Sequence, residues 1–164
     1  MINKKIIQAL GIITNKLKQK KIKWVVVGSL SLALQGVRIK PKDIDILTTK
    51  NGAFKMNKLF RKYQIKPVKF RHSDHFQSFF GEFKINGVKI EIMGNLKERL
   101  KGKWVSLSHR LKTHKIIEIG KMKVPVSNLK DQLKFYSKSS RRKDKIKAQK
   151  IKEVLKNANK NIWK

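Results

Sequence analysis

The sequence predicts an α/β (α+β) fold in which helices flank a mixed central sheet. Three observations lead there. Short β-prone runs alternate with helix-period stretches, an Asn-Gly pair separates two strand-like arms, and the last quarter of the chain is helical and basic throughout. At 164 residues the chain has the size of one domain, large enough to bury a core unaided, and it contains no cysteine for a disulfide or thiolate site.

Residues 2 to 20 place Ile2, Ile6, Leu10, Ile13 and Leu17 at steps of three and four, the pattern of an amphipathic helix. Lys23 to Val27 is a β-prone run that ends at Gly28-Ser29, after which Leu30 to Gln35 favours helix and Gly36 closes it. A second buried strand is expected over Asp43 to Leu47. A helix follows from Asn51-Gly52, with Phe54, Leu59 and Tyr63 on its apolar side. Phe76 to Ile85 and Val88 to Met93 flank Asn86-Gly87, a strong hairpin signal. Residues 94 to 113 are basic and show no clear period. Ile116 to Ile119 and Met122 to Val126 form a further hairpin, and helices over 128–137 and 142–157 finish the chain. The expected division is an α/β core over 1–126 and basic helices over 127–164 packed on the same domain. Trp24 and Trp104 are expected in the core or semi-buried.

No apolar run is long enough to span a bilayer, and the first helix carries too many lysines for a signal peptide. A cytoplasmic protein without membrane contact is expected. The charge is more informative, with 42 Lys+Arg against 10 Asp+Glu and a formal net charge of +32. Codon bias in an AT-rich genome explains abundant Lys, Ile and Asn but not the scarcity of acids. Ten Lys/Arg precede the first carboxylate, Asp43. Such an excess repels itself in a compact chain and is relieved by a polyanion, which points to nucleic acid. Ser137 to Lys164 alone holds eleven Lys/Arg and two acids, and Lys97 to Lys115 supplies a second basic stretch.

Where acids are rare, their positions carry weight. Asp43 and Asp45 lie two apart on the expected strand, so both leave one face while Ile44 and Ile46 enter the core. Paired carboxylates on an apolar strand repel unless a cation lies between them. Glu91, between Ile90 and Ile92, adds a third oxygen donor if its strand neighbours the first. Such a donor set suits Mg²⁺, two ions in the phosphoryl-transfer arrangement, with Mn²⁺ as a substitute. Alone, Asp-x-Asp reads more readily as a solvated edge strand. Gly28-Ser29 shifts the balance, because it ends a strand and opens a helix whose free N–H groups can meet phosphate oxygens.

In combination these elements resemble the DNA polymerase beta-like nucleotidyltransferase superfamily, in particular its small single-domain members. The resemblance rests on Val25-Val26-Val27-Gly28-Ser29, Asp43-Ile44-Asp45 and Lys89-Ile90-Glu91-Ile92, spans about residues 22 to 93, and is joined by Val124-Pro125-Val126-Ser127-Asn128-Leu129 and Arg142-Lys143-Asp144. It implies that Asp43, Asp45 and Glu91 are catalytic and metal-holding, that Gly28 and Ser29 grip a triphosphate, and that a lysine on the preceding helix, Lys134 or Lys138, approaches the nucleotide. Relatives place Arg-x-Thr-x before the first acid, whereas this chain has Arg38-Ile39-Lys40-Pro41-Lys42. Arg38 is therefore one position farther off, and Lys40 or Lys42 can stand in for it as a point charge. Asp144 is expected to cap the last helix.

The reaction implied is transfer of a nucleoside monophosphate, for instance from ATP, to an acceptor hydroxyl. The charge points to RNA of tRNA-like form as acceptor. The alternatives are a non-catalytic nucleic-acid-binding module, or a toxin–antitoxin or small-molecule transferase, with a protein partner left open. His72 and His75 beside Asp74 have a metal-like spacing but sit in an expected loop without further ligands, His109 and His114 read as surface groups, and Trp163 as a stacking or idle side chain.

Overall fold

The Asn3 side chain accepts a hydrogen bond from the Lys5 backbone amide at 2.8 Å and so opens helix α1, Lys4–Leu17. The computed structural model of the chain describes residues 2–162, so Trp163 lies outside the described residues. After α1 come β1 (Trp24–Val27), α2 (Gly28–Leu34), β2 (Ile44–Thr48) and α3 (Lys50–Leu59). Strands β3 (Gln64–His72), β4 (Phe76–Ile85), β5 (Val88–Leu100) and β6 (Lys103–Ser106) follow. The hairpin β7 (Lys115–Ile119) and β8 (Met122–Val126) leads into α4 (Leu129–Ser137) and α5 (Arg142–Ile162).

The strands form one mixed sheet in the order β3-β4-β5-β2-β1-β8-β7, with β6 paired to β5 off that path. Strand β2 runs antiparallel to β1 and parallel to β5. Its period-two alternation decides both faces. Ile44 and Ile46 join Val26, Ile90, Ile92 and Phe83 in a core closed by Ile6, Leu10 and Ile13 of α1 and by Ala53 and Met56 of α3. Each such fully buried Ile or Leu contributes about 1.5–3 kcal/mol. On the opposite face Val25, Val27 and Leu47 meet Leu96, Leu107, Leu111 and Phe135. A third cluster, Leu32, Val37, Tyr136, Ala148 and Ile151, binds α2 to α4 and α5.

Four expectations are corrected. Asp43 lies just before β2, which starts at Ile44. Residues 64–72 form the outer strand β3, so His72 ends a strand. The patternless stretch from 94 is mostly strand: β5 continues to Leu100 and turns back as β6. Its alternation was hidden because the inward-side residue between Leu96 and Leu100 is an acid, Glu98. Trp104 is exposed on β6 rather than in a core, whereas Trp24 packs against the main core as expected. No described helix is long and apolar enough to cross a membrane.

Candidate active site

Strand register gathers the acids. Val27 of β1 pairs with Asp45 of β2, Asp45 pairs with Glu91 of β5, and Glu91 pairs with Glu82 of β4. Residues directly opposite one another share a face at strand spacing, so Glu82, Glu91 and Asp45 form a row across three strands. Asp43 joins from the loop: Lys89 Nζ lies 2.9 Å from Glu91 Oε1 and 3.5 Å from Asp43 Oδ2. The hydrogen bond to Glu91 pushes the Lys89 ammonium above its ordinary pKa. Burial, then the charges of Glu91 and Asp43, raise the Asp45 carboxyl from 3.8 to about 7. The site therefore carries a concentrated negative field, with the Lys89 ammonium bridging Glu91 and Asp43 as its contacting counterion. Sequence reasoning overlooked Lys89, although it stands two residues before Glu91 on the same strand face, and it overlooked Glu82.

Gly28 borders this row. Its φ is +70°, and a Cβ built there would lie 2.6 Å from Asp45 Oδ2, so the absence of a side chain is what lets the carboxylate sit against the start of α2. Ser31 Oγ donates to the Gly28 carbonyl at 2.9 Å, and the buried Gln132 of α4 donates to Ser31 Oγ at 2.7 Å and to the Ser127 carbonyl at 3.0 Å. Ser29 follows at the first turn, half-buried. Gly28, Asp43, Asp45 and Glu91 thus lie together, with Ser29 next to Gly28 in the first turn of α2.

The basic candidates are spread more widely. Arg38 lies on the loop after α2 and lines a cavity of about 500 Å³ with Lys40 and Lys150, a cavity none of the acids lines. Lys150 Nζ donates to the Arg38 carbonyl at 2.8 Å. Lys42 is exposed next to Asp43, and Lys134 is exposed on α4. Lys138, at the end of α4, lines a second cavity of about 190 Å³ with Glu98, Phe76, Phe135, Arg141 and Asp144. Besides Lys89, the lysine whose charge reaches Asp45 is Lys147 of α5, half-buried with Nζ 5.0 Å from the Tyr136 ring centroid. Burial pulls its pKa down, while Asp144 and Asp45 push it back up. It sits three residues after Asp144, one helical turn on, which is the signal that would have found it.

Asp144 is not the cap of α5 but lies inside its first turn, 1% exposed. It accepts from Ser139 Oγ at 2.7 Å and Arg141 Nε at 2.8 Å, tying the α4–α5 connection down, while its Oδ1 has no partner among the described residues. Burial raises the Glu98 carboxyl, opposed by Arg110 and Lys138.

No group of three or more His, Cys, Asp or Glu side chains is already gathered around a metal position among the described residues. Lys89 stands between two of the three acids, which explains their spread. The donor set nevertheless fits a hard divalent cation: all oxygen, adjacent in register, and with Asp45 under repulsion that a cation would relieve.

A family model described as aminoglycoside-2''-adenylyltransferase matches residues 9–159. The chain belongs to that family. The Thermotoga maritima protein TM1012, described as a nucleotidyltransferase, is 35% identical over 98% of this chain and 96% of that one, with a TM-score of 0.80. This protein is accordingly a nucleotidyltransferase. Two more distant structures share the fold. The lincosamide antibiotic adenylyltransferase LnuA with bound lincomycin is 14% identical, covers 90% of this chain and 96% of that one, and has a TM-score of 0.59. The antibiotic-resistance factor ANT(2'')-Ia with adenylyl-2''-tobramycin is 10% identical, covers 97% of both chains, and has a TM-score of 0.55. No curated protein matches.

Proposed function

We propose that this nucleotidyltransferase moves a nucleoside monophosphate from a nucleoside triphosphate to a hydroxyl of RNA, using a divalent cation held by Asp43, Asp45 and Glu91. The observation that carries the acceptor is charge. An aminoglycoside is a polycation at neutral pH, and a chain of net +32 repels it, whereas RNA is drawn in. The cavity beside Glu98 has the same bias, with Arg99, Lys138 and Arg141 against Glu98 and Asp144.

When bound, Mg²⁺ supplies charge neutralisation on the triphosphate and acidifies the attacking hydroxyl. The remaining work belongs to the chain. Gly28 and Ser29, at the β1 side of the row, receive the phosphates. Lys147 offers its ammonium to the α-phosphate side of Asp45. Glu91, one strand farther toward β4 and the cavity, faces the acceptor and takes the hydroxyl proton. The hydroxyl oxygen bonds to the α-phosphorus, the bridge to the β-phosphate breaks, and pyrophosphate leaves.

A second reading, a small-molecule hydroxyl, is favoured by the antibiotic ligands of the two distant structures. One assay separates them. The protein is incubated with Mg²⁺, each α-labelled nucleoside triphosphate, and either RNA or a panel of aminoglycosides and lincosamides, beside Asp43→Ala/Asp45→Ala. Label entering RNA, and absent with the double variant, is the expected result. Label entering only the small molecules overturns the RNA acceptor.

The lysine assignment has its own test. Lys147→Ala is expected to lower kcat/KM for the triphosphate by about 10²-fold, while Lys138→Ala changes it by less than about threefold. The reverse ranking would return the nucleotide-facing role to α4.

A further inference from the structure

On the face of the sheet opposite the acids, an aromatic row lies open to solvent. Val68 of β3 is buried under α3, and Phe70, two residues on along the same face, emerges half exposed at 50%. Its ring centroid is 6.3 Å from that of His72 and 5.6 Å from that of Phe79 on β4, and Phe79 lies 5.8 Å from Phe54 of α3, itself 39% exposed. Four rings thus follow one another across three elements, and Lys50 Nζ sits 4.8 Å over the Phe79 ring. Helix α3 and strand β3, which carry three of the four rings, have one sign of charge. From Ile46 to Ser73 there are eight Lys/Arg and no Asp or Glu. Lys50, Lys55 and Lys58 stand exposed on α3, the helix packed on this face, whereas Lys66 and Lys69 of β3, paired with Glu82 and Phe80, turn to the other face.

We propose that this row is a binding surface for single-stranded RNA, separate from the catalytic face, where unpaired bases stack on Phe70, Phe79 and Phe54 while the flanking cations follow the phosphates. Exposed aromatics flanked by cations, with few acids nearby, are what an unpaired polyanion with π-faced bases recognises. A second copy of the chain is the poorer occupant. It would bring +32 against +32, and the outer strand β3 is guarded against strand pairing by Pro67, Lys66 and Lys69 and by register breaks between Gln64 and Lys69. Because Asp45 and Glu91 leave the other face, nucleotides held here are not the reacting ones. The surface holds a distant part of the strand and raises its local concentration. The inference takes from the proposed function only the nature of the polyanion.

The test is fluorescence anisotropy of a labelled single-stranded RNA of about 16 nucleotides, and of its duplex, with the full chain. Phe70→Ala, a half-exposed position expected to keep the wild-type Tm, should weaken single-strand binding about tenfold, with Phe54→Ala adding to the loss. The salt slope should stay unchanged, since no charge is removed, whereas Lys55→Ala/Lys58→Ala should lower that slope by about 1.4. In the transfer assay Phe70→Ala should raise KM for a long acceptor and leave kcat unaltered. Unchanged single-strand affinity in both Phe variants overturns the proposal. So does an equal loss for the duplex, a change of oligomeric state on sedimentation in place of a change in RNA binding, or loss of binding to phosphatidylserine vesicles alone. Failure of the acceptor reading looks different: the strand binds through Phe70 but no label enters it. Label entering RNA with Phe70→Ala indistinguishable from wild type leaves the acceptor standing and removes only this surface.

Discussion

Asp45→Asn is expected to abolish nucleotide transfer, by about 10³-fold or more, and yet to make the protein more stable above pH 7. Both effects have one cause. Burial and the neighbouring Glu91 and Asp43 raise the Asp45 carboxyl to about 7 from 3.8. The folded chain therefore holds a proton that the unfolded chain releases across that range. The stability tied to this proton is complete below about pH 4 and is lost as pH rises through 7, up to a ceiling of roughly 4 kcal/mol, trimmed by the water that still reaches the half-buried side chain. Asparagine keeps the shape and removes the charge, so this loss disappears along with the oxygen that holds the cation. Thermal unfolding of both proteins at about pH 5 and about pH 8, in chelator and then in Mg²⁺, reads the effect directly. The wild type should lose stability at the higher pH in chelator and regain it with Mg²⁺, while Asp45→Asn should do neither. Parallel pH slopes in the two proteins would sink the argument, as would transfer surviving in the variant.

How much of this was legible beforehand varied from element to element. Strand β2 was readable because its apolar residues alternate with acids, and the turn at Asn86-Gly87 because φ is positive at both residues. Glu91 was identified as a third acid, but that it stands beside Asp45 is a fact of register between strands over forty residues apart, which no local pattern carries. The resemblance to known nucleotidyltransferases supplied that pairing, and the matched family bears out the class of enzyme. The sequence was silent on Glu82 and Lys89 for the same reason, since each becomes notable only once its strand lies next to the others. For the lysine, the resemblance pointed to Lys134 or Lys138 of α4, whereas the packing of Tyr136, Ala148 and Ile151 brings the charge of Lys147 on α5 to Asp45, a proximity that no local pattern carries. The extension of β5 was missed because Glu98 takes a position where an apolar residue would have revealed the alternation, and that exception marks the wall of a cavity.

The second large effect is expected at a residue with no side chain. Gly28→Ala should lower transfer by about 10²–10³-fold without touching any charge or donor. The new methyl would lie 2.6 Å from Asp45 Oδ2 on a backbone held at φ +70°, where a side chain already costs about 1–2 kcal/mol. Relief by backbone movement is blocked from behind, because Ser31 holds the Gly28 carbonyl and Gln132 holds Ser31. The carboxylate must therefore be the part that moves, outward to water and away from Glu91. That shift gives the variant a signature distinct from simple damage. Asp45 should lose its burial and much of the repulsion, so the fall in stability between about pH 5 and about pH 8 should flatten even though overall stability drops by about 1–3 kcal/mol. Denaturant midpoints at the two pH values, measured beside the transfer rate, separate these contributions. A Gly28→Ala protein that kept the wild-type rate would mean that Asp45 is positioned by its strand alone and that α2 begins with glycine for the sake of its backbone only.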